Sequence, residues 1–308
     1  MESEYTPEAM WVFLALGAGL LQSARNAFAR SLVGSISPVL NSWARFAVNL
    51  PFSTTLVLVL VLARGAPATS PRFFALAFAT GLAQLLGSIA LIAAFRHSNF
   101  AQSIVLHKLE VLFTAVIGAA LFSEMPTALA WLGIFVSVAG VMAMAPGGAF
   151  RARIGAGSVL AVAAGLLLAI VGFFLKAAIE ELVVLNPWVG TGRFVVAAHT
   201  LFHVTWMEVV LLTAWLLYPR RGELSLVPLH WRRMLLQGSF AFSASLGWFW
   251  AYSLTFVAYV KAVGQVESVA AVLYSLLLWK ESEVSRQVPG MALTLVGIVL
   301  VLLGGSPR

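Results

Sequence analysis

The chain of 308 residues contains no cysteine and no aspartate, and only 10% of its residues are charged. Without cysteine, disulfides, thiolate metal sites and thiol nucleophiles are excluded. All twelve acids are glutamates. An ordinary soluble domain carries about 25% charged residues, so this composition argues against one. The sequence also lacks a phosphate-cradling glycine loop, an HExxH pair and a GxSxG elbow, which leaves an enzymatic reading unsupported and implies no cofactor. No Pro/Ser-rich linker marks off a second, soluble domain.

What fills the chain instead is apolar: 61% of residues are hydrophobic. Nearly every window contains a run of about 20 apolar residues, enough to cross the hydrocarbon of a bilayer. Backbone groups in lipid need internal partners, so these runs are read as helices. The fold class expected is all-α integral membrane, with spans near 9–32, 38–63, 72–95, 99–122, 127–146, 156–179, 189–218, 232–254, 256–279 and 286–305. The acidic opening MESEYTPEAM precedes an apolar run without a small-residue cleavage pattern, so that run reads as a first membrane helix. The net charge of +7 sits mostly in short connections, as at Arg151/Arg153 and Arg220/Arg221. Such clusters set topology against anionic headgroups, and no nucleic-acid partner is expected.

The chain repeats itself. A shift of 157 residues superimposes Glu110 on Glu267, Glu124 on Glu281, Gly133 on Gly290, Ser137 on Thr294, Gly140 on Gly297 and Ser88 on Ser245. Nearer the front of each half the offset falls to 146–148, aligning AGLLQSARNAFAR (18–30) with AGLLLAIVGFFLK (164–176) and ARF (44–46) with GRF (192–194). Residues 1–150 and 151–308 therefore read as two five-helix repeats of one unit. Five is odd, so the second repeat enters the membrane upside down, a plan that puts a binding site near the midplane between repeats.

Glu110 and Glu267 fall about half-way along the fourth and ninth spans, where a carboxylate is costly and normally faces a cavity or a partner. They either form buried structural pairs or hold a substrate or a coupling proton. His107 and Glu110 are at i and i+3 and share a helix face. Lys108, two residues from Glu110, is expected on the opposite side of a continuous helix. Gln265 likewise shares a face with Lys261 while Glu267 turns away. Arg45 and Arg193 form a matched pair that either snorkels, partners the glutamates or clamps a substrate anion. Arg25 and Asn26, with Gln22, make a polar strip on the first span, and Trp250 and Tyr252 offer rings for stacking on a substrate. Glu124 and Glu281 read as braces at helix ends, Lys176 as structural, and the two Gly-rich rows as close-packing faces. His199 and His203 have metal-pair spacing, but the ligand count does not support zinc.

The stretches LEVLFTAVIGAALFSEMPTALAWLGIFVSVAGVMAMA and ARNAFARSLVGSISPVLNSWARF resemble EamA-like permeases of the drug/metabolite transporter superfamily. The resemblance implies ten helices in two inverted repeats and a cavity lined by helices 1, 3 and 4 of one repeat and 6, 8 and 9 of the other. It departs from the family in lacking a proline about thirteen residues before the turn glutamates, with Glu110 and Glu267 near that place. The function expected is alternating-access transport of a small polar or cationic metabolite or drug, with the bilayer and, through the glutamates, protons as further partners. A lipid-headgroup flippase and a non-transporting scaffold or receptor are the alternatives. The location expected is a bacterial inner membrane. Counting basic residues in the connections puts both termini outside, whereas the resemblance puts them in the cytoplasm.

Overall fold

Among the described residues, ten α-helices carry the chain. They are α1 (Met10–Leu32), α2 (Pro38–Arg64), α3 (Pro71–His97), α4 (Glu110–Leu121), α5 (Ala128–Ala143), α6 (Ala156–Leu185), α7 (Phe194–Leu217), α8 (Val227–Leu254), α9 (Val257–Val263) and α10 (Val288–Gly304). The computed structural model describes residues 10–97, 103, 106–144, 155–189, 193–218, 221–270, 273 and 287–305. The turn residue Glu281 and the basic connections at Arg151, Arg153 and Arg220 lie outside that set.

Local chemistry sets the helix starts. Ser37 accepts a hydrogen bond from Leu40 N at 3.1 Å, and Pro38 occupies the first turn of α2. Ser70 accepts from Phe73 N at 3.1 Å, just ahead of Pro71. Thr127 does the same for Ala130 N at the start of α5. Each side chain satisfies one of the N–H groups that a helix start leaves unpaired. At the end of α2, Gly65 takes φ +86°, a conformation that costs a glycine little.

The exterior is greasy. Leu58, Leu62, Leu121, Val184, Leu229 and Leu303 all stand exposed, which a soluble monomer rarely tolerates in such number. α2, α3, α6 and α7 are each long and apolar enough to cross a membrane. α1 and α8 have the length, but their polar residues, among them Arg25, Asn26, Arg232, Arg233 and Gln237, dilute their hydropathy. α4, α5 and α10 are shorter apolar helices.

Packing follows one rule throughout. The most extensive contacts pair α1 with α8, α3 with α6, α2 with α7 and α5 with α10, and α4 meets α9. Exchanging each helix for the one five places along maps this set onto itself. The α5–α10 seam is built on the two small-residue rows. A Cβ at Gly140 would lie 2.4 Å from Thr294 N, and one at Gly290 would lie 2.7 Å from Gly140 O. Bare backbone is what lets these helices touch.

The turn after α4 is held by Glu124. Its Oε1 receives Lys176 Nζ at 2.6 Å, and its Oε2 receives the N–H of Val257 at 2.9 Å, at the first residue of α9. Lys176 also donates to Thr255 O at 3.0 Å. One carboxylate thus ties α4, α6 and the start of α9 together. Glu124→Ala should destabilise the fold by about 2 kcal/mol, since it strips a charge-assisted acceptor from two donors. Denaturant unfolding of the purified chain measures this, and a loss below about 0.5 kcal/mol would remove the brace.

Candidate functional site: crossed lysine–glutamate pairs at two helix breaks

Two spans expected to be continuous helices are interrupted. Lys108 and Leu109 form a turn between the helical residues 106–107 and α4. Gly264 and Gln265 form a turn between α9 and the helical residues 266–270. Tight i−3 bonds mark both places: Leu109 N to Leu106 O and Val111 N to Lys108 O in the first, Gln265 N to Ala262 O and Glu267 N to Gly264 O in the second. A glycine from the opposite half packs on each. A Cβ at Gly165 of α6 would lie 2.8 Å from His107 O, and a Cβ at Gly19 of α1 would lie 2.9 Å from Gly264 O. These two glycines are the ones the AGLL match aligns.

The breaks overturn the expectation that Lys108 and Glu110 face opposite sides. With the helix rewound between them, both point inward and each finds a partner from the other half. Lys108 Nζ reaches Glu267 Oε2 at 2.5 Å, and Lys261 pairs with Glu110. Glu267 is further held by Gln22 Nε2 at 2.9 Å and Asn26 Nδ2 at 2.6 Å. Glu110 Oε2 lies 2.9 Å from His107 Nε2, and Lys261 also donates to Leu168 O at 2.8 Å. These ion pairs are nearly dry: the Lys108 and Glu267 side chains are 6% and 4% exposed. Such pairs persist in a low-dielectric interior only when the remaining hydrogen bonds are also made.

The pairs border a cavity of about 100 Å³, whose walls come from α1, α3, α6 and α8, the two broken segments, and Arg45 of α2. Of the residues singled out from sequence, Arg25, Asn26, Arg45, His107, Lys108, Glu110, Tyr252 and Glu267 all line it. Arg25 bonds Asn26 Oδ1 through Nε at 3.1 Å and Nη2 at 2.7 Å. Arg45 donates to Ser88 Oγ at 2.9 Å. Tyr252 stacks on Trp248 with ring centres 5.8 Å apart, and Trp248 Nε1 donates to Gln22 Oε1 at 3.0 Å.

Three residues are placed elsewhere. Gln265 is fully buried against α5, donating to Ser137 Oγ at 2.9 Å. Arg193 pairs with Glu180 and donates to Ser253 O at 2.6 Å. Trp250 packs on Phe194 with ring centres 4.8 Å apart. None of the three is in the cavity wall. Conversely, Lys261, Trp248, Gln84 and Ser88 line it without having been singled out as site residues. For Ser88 the match with Ser245 in the repeat was an available signal, since both serines are in the wall. His199 and His203 lie outside it, with Phe73 and Phe74 edge-on to His203 and the two imidazoles tilted against each other.

Residues 9–145 match the model of the EamA-like transporter family. No curated protein matches the chain. One solved crystal structure superposes with a TM-score of 0.69 at 16% identity, covering 96% of this chain and 97% of its own, which shows a shared fold. The family match over 9–145, the apolar helices and the exposed apolar surface together make this an integral, multi-pass membrane protein.

Proposed function

We propose that the chain, whose residues 9–145 match the EamA-like transporter family, is a secondary transporter of a small polar solute working by alternating access. The observation that carries the reading is the crossed pairing of Lys108 with Glu267 and Lys261 with Glu110 at the edge of a central cavity. In this reading 1–150 and 151–308 are inverted five-helix repeats forming ten spans. Support comes from the swap-invariant helix packing and from Gly19 and Gly165, each seated on the other half's broken helix.

Both ion pairs join one repeat to the other, so rocking of the repeats must stretch or exchange them. A closed pair fastens the cavity. A solute or proton that competes for a lysine or a glutamate loosens it, which gives the site a route to coupling. A proton arriving on Glu110 would release Lys261 without leaving an unpaired carboxylate behind. Placement in a bacterial inner membrane fits the same reading.

Reconstitution tests it. In vesicles screened for solute uptake, Glu110→Gln and Glu267→Gln should each lower the initial rate at least about tenfold, a change of about 1.4 kcal/mol in the barrier. Undiminished uptake in both variants would end the crossed-pair mechanism. Absence of any solute flux, with the fold intact, would favour the scaffold reading.

A further inference from the structure

The cavity wall holds more positive than negative groups. Arg25, Arg45, Lys108 and Lys261 line it, against the carboxylates of Glu110 and Glu267. The two lysines are already engaged by those carboxylates. Arg25 and Arg45 donate instead to neutral acceptors, Asn26 Oδ1 and Ser88 Oγ. Glu208 of α7 is outside the wall. It makes no ion pair within 4.0 Å among the described residues, and its own Oε1 is buried without a hydrogen-bond partner. Counting it, four cations still face three carboxylates.

Arg45 is also incompletely satisfied. Its Nε is buried with no hydrogen-bond partner, and Arg25 lines the same cavity. Two guanidinium groups in the wall of one small cavity are costly unless an anion joins them. Their planar forks match the oxygens of a carboxylate or phosphate. Beside them the wall is apolar and aromatic, with Leu91, Phe95, Trp248 and Phe249.

We propose that the cavity binds a small organic anion, its anionic oxygens bridging Arg25 and Arg45 and its carbon body against Trp248 and Phe249. This names the solute class for the transport reading above and rests on it for the fate of the bound molecule, though not for binding itself. A cationic solute is disfavoured, because both acids in the wall already hold a lysine.

Binding is measured on the detergent-purified chain at constant ionic strength, through thermal unfolding and tryptophan fluorescence. The probes are pyruvate, benzoate and inorganic phosphate, with choline as the cation. At least one anion should raise Tm saturably, while choline should not. Arg25→Gln and Arg45→Gln should each weaken that anion's apparent affinity at least about tenfold, and the lysine replacements should recover part of it. Should either glutamine variant fail to fold, the lysine variant of the same position carries the comparison, with a measurable weakening still expected. A saturable response to choline alone, no saturable response to any of the three anions, or an anion response unaltered in every arginine variant would overturn the proposal. Vesicle uptake separates it from the transport reading. A chain that binds pyruvate but moves no solute would defeat transport and leave the anion site standing, and a chain that carries choline but binds no anion would do the reverse.

Discussion

Lys108→Met should destabilise the protein by about 3–5 kcal/mol, the cost of leaving a buried carboxylate without its counterion. Glu267 keeps only the amides of Gln22 and Asn26 in that variant, and two neutral donors do not replace a charge. The double variant Lys108→Met/Glu267→Met should recover most of the loss, because removing both charges removes the desolvation cost along with the attraction. A coupling energy of at least about 1.5 kcal/mol is expected from the cycle. Lys261→Met should cost less, since Glu110 is 14% exposed against 4% for Glu267 and retains His107 nearby. Equilibrium unfolding in mixed micelles reads all of these. A Lys108→Met loss below about 1 kcal/mol would mean that the pair is not the fastening described here.

The second large effect belongs to the α5–α10 seam. A Cβ at Gly297 would lie 2.3 Å from Ser137 N and 2.6 Å from Ser137 Cα. Both are backbone atoms, so no rotamer change relieves the clash, and the helices must separate along their length. Gly297→Val should therefore cost more than about 3 kcal/mol, beyond the usual range for overpacking. Gly17 on α1 is the control, because a Cβ added there would meet nothing within 4 Å. Gly17→Ala should be neutral or slightly stabilising, since alanine is the better helix former. Comparable losses at both positions would refute the close-approach account of the seam.

Much of this architecture was legible in the sequence because its signals are local or repetitive. The Ser37-Pro38 and Glu124-Met125-Pro126-Thr127 turns mark helix ends by their own chemistry. The glycine rows mark a seam because only small residues permit backbone contact. The Gln22/Arg25/Asn26 strip lines the cavity as helical spacing requires, since α1 is unbroken there. The breaks were not legible. Nothing between His107 and Glu110 is a helix breaker, and the turn at Lys108 exists because Gly165 lets α6 press against it while the lysine reaches Glu267. Spacing rules for a continuous helix then misplace every side chain downstream of the break relative to those upstream. That is why Lys108 came out facing away from Glu110, and why Gln265 was grouped with Lys261 although it turns towards Ser137. Arg193 has a simpler cause: its backbone sits at φ +53°, outside the helix whose geometry was used to place it.

The interruptions at Lys108–Leu109 and Gly264–Gln265 change what counts as a moving part. A rod that is unbroken from one membrane face to the other must tilt as a whole, dragging both ends. On the transport reading, each turn is a fulcrum at the depth of the cavity, so α4 and α9 can swing about it while the turn stays pressed against Gly165 or Gly19. On that reading, opening towards one side need not wait for the far side to yield.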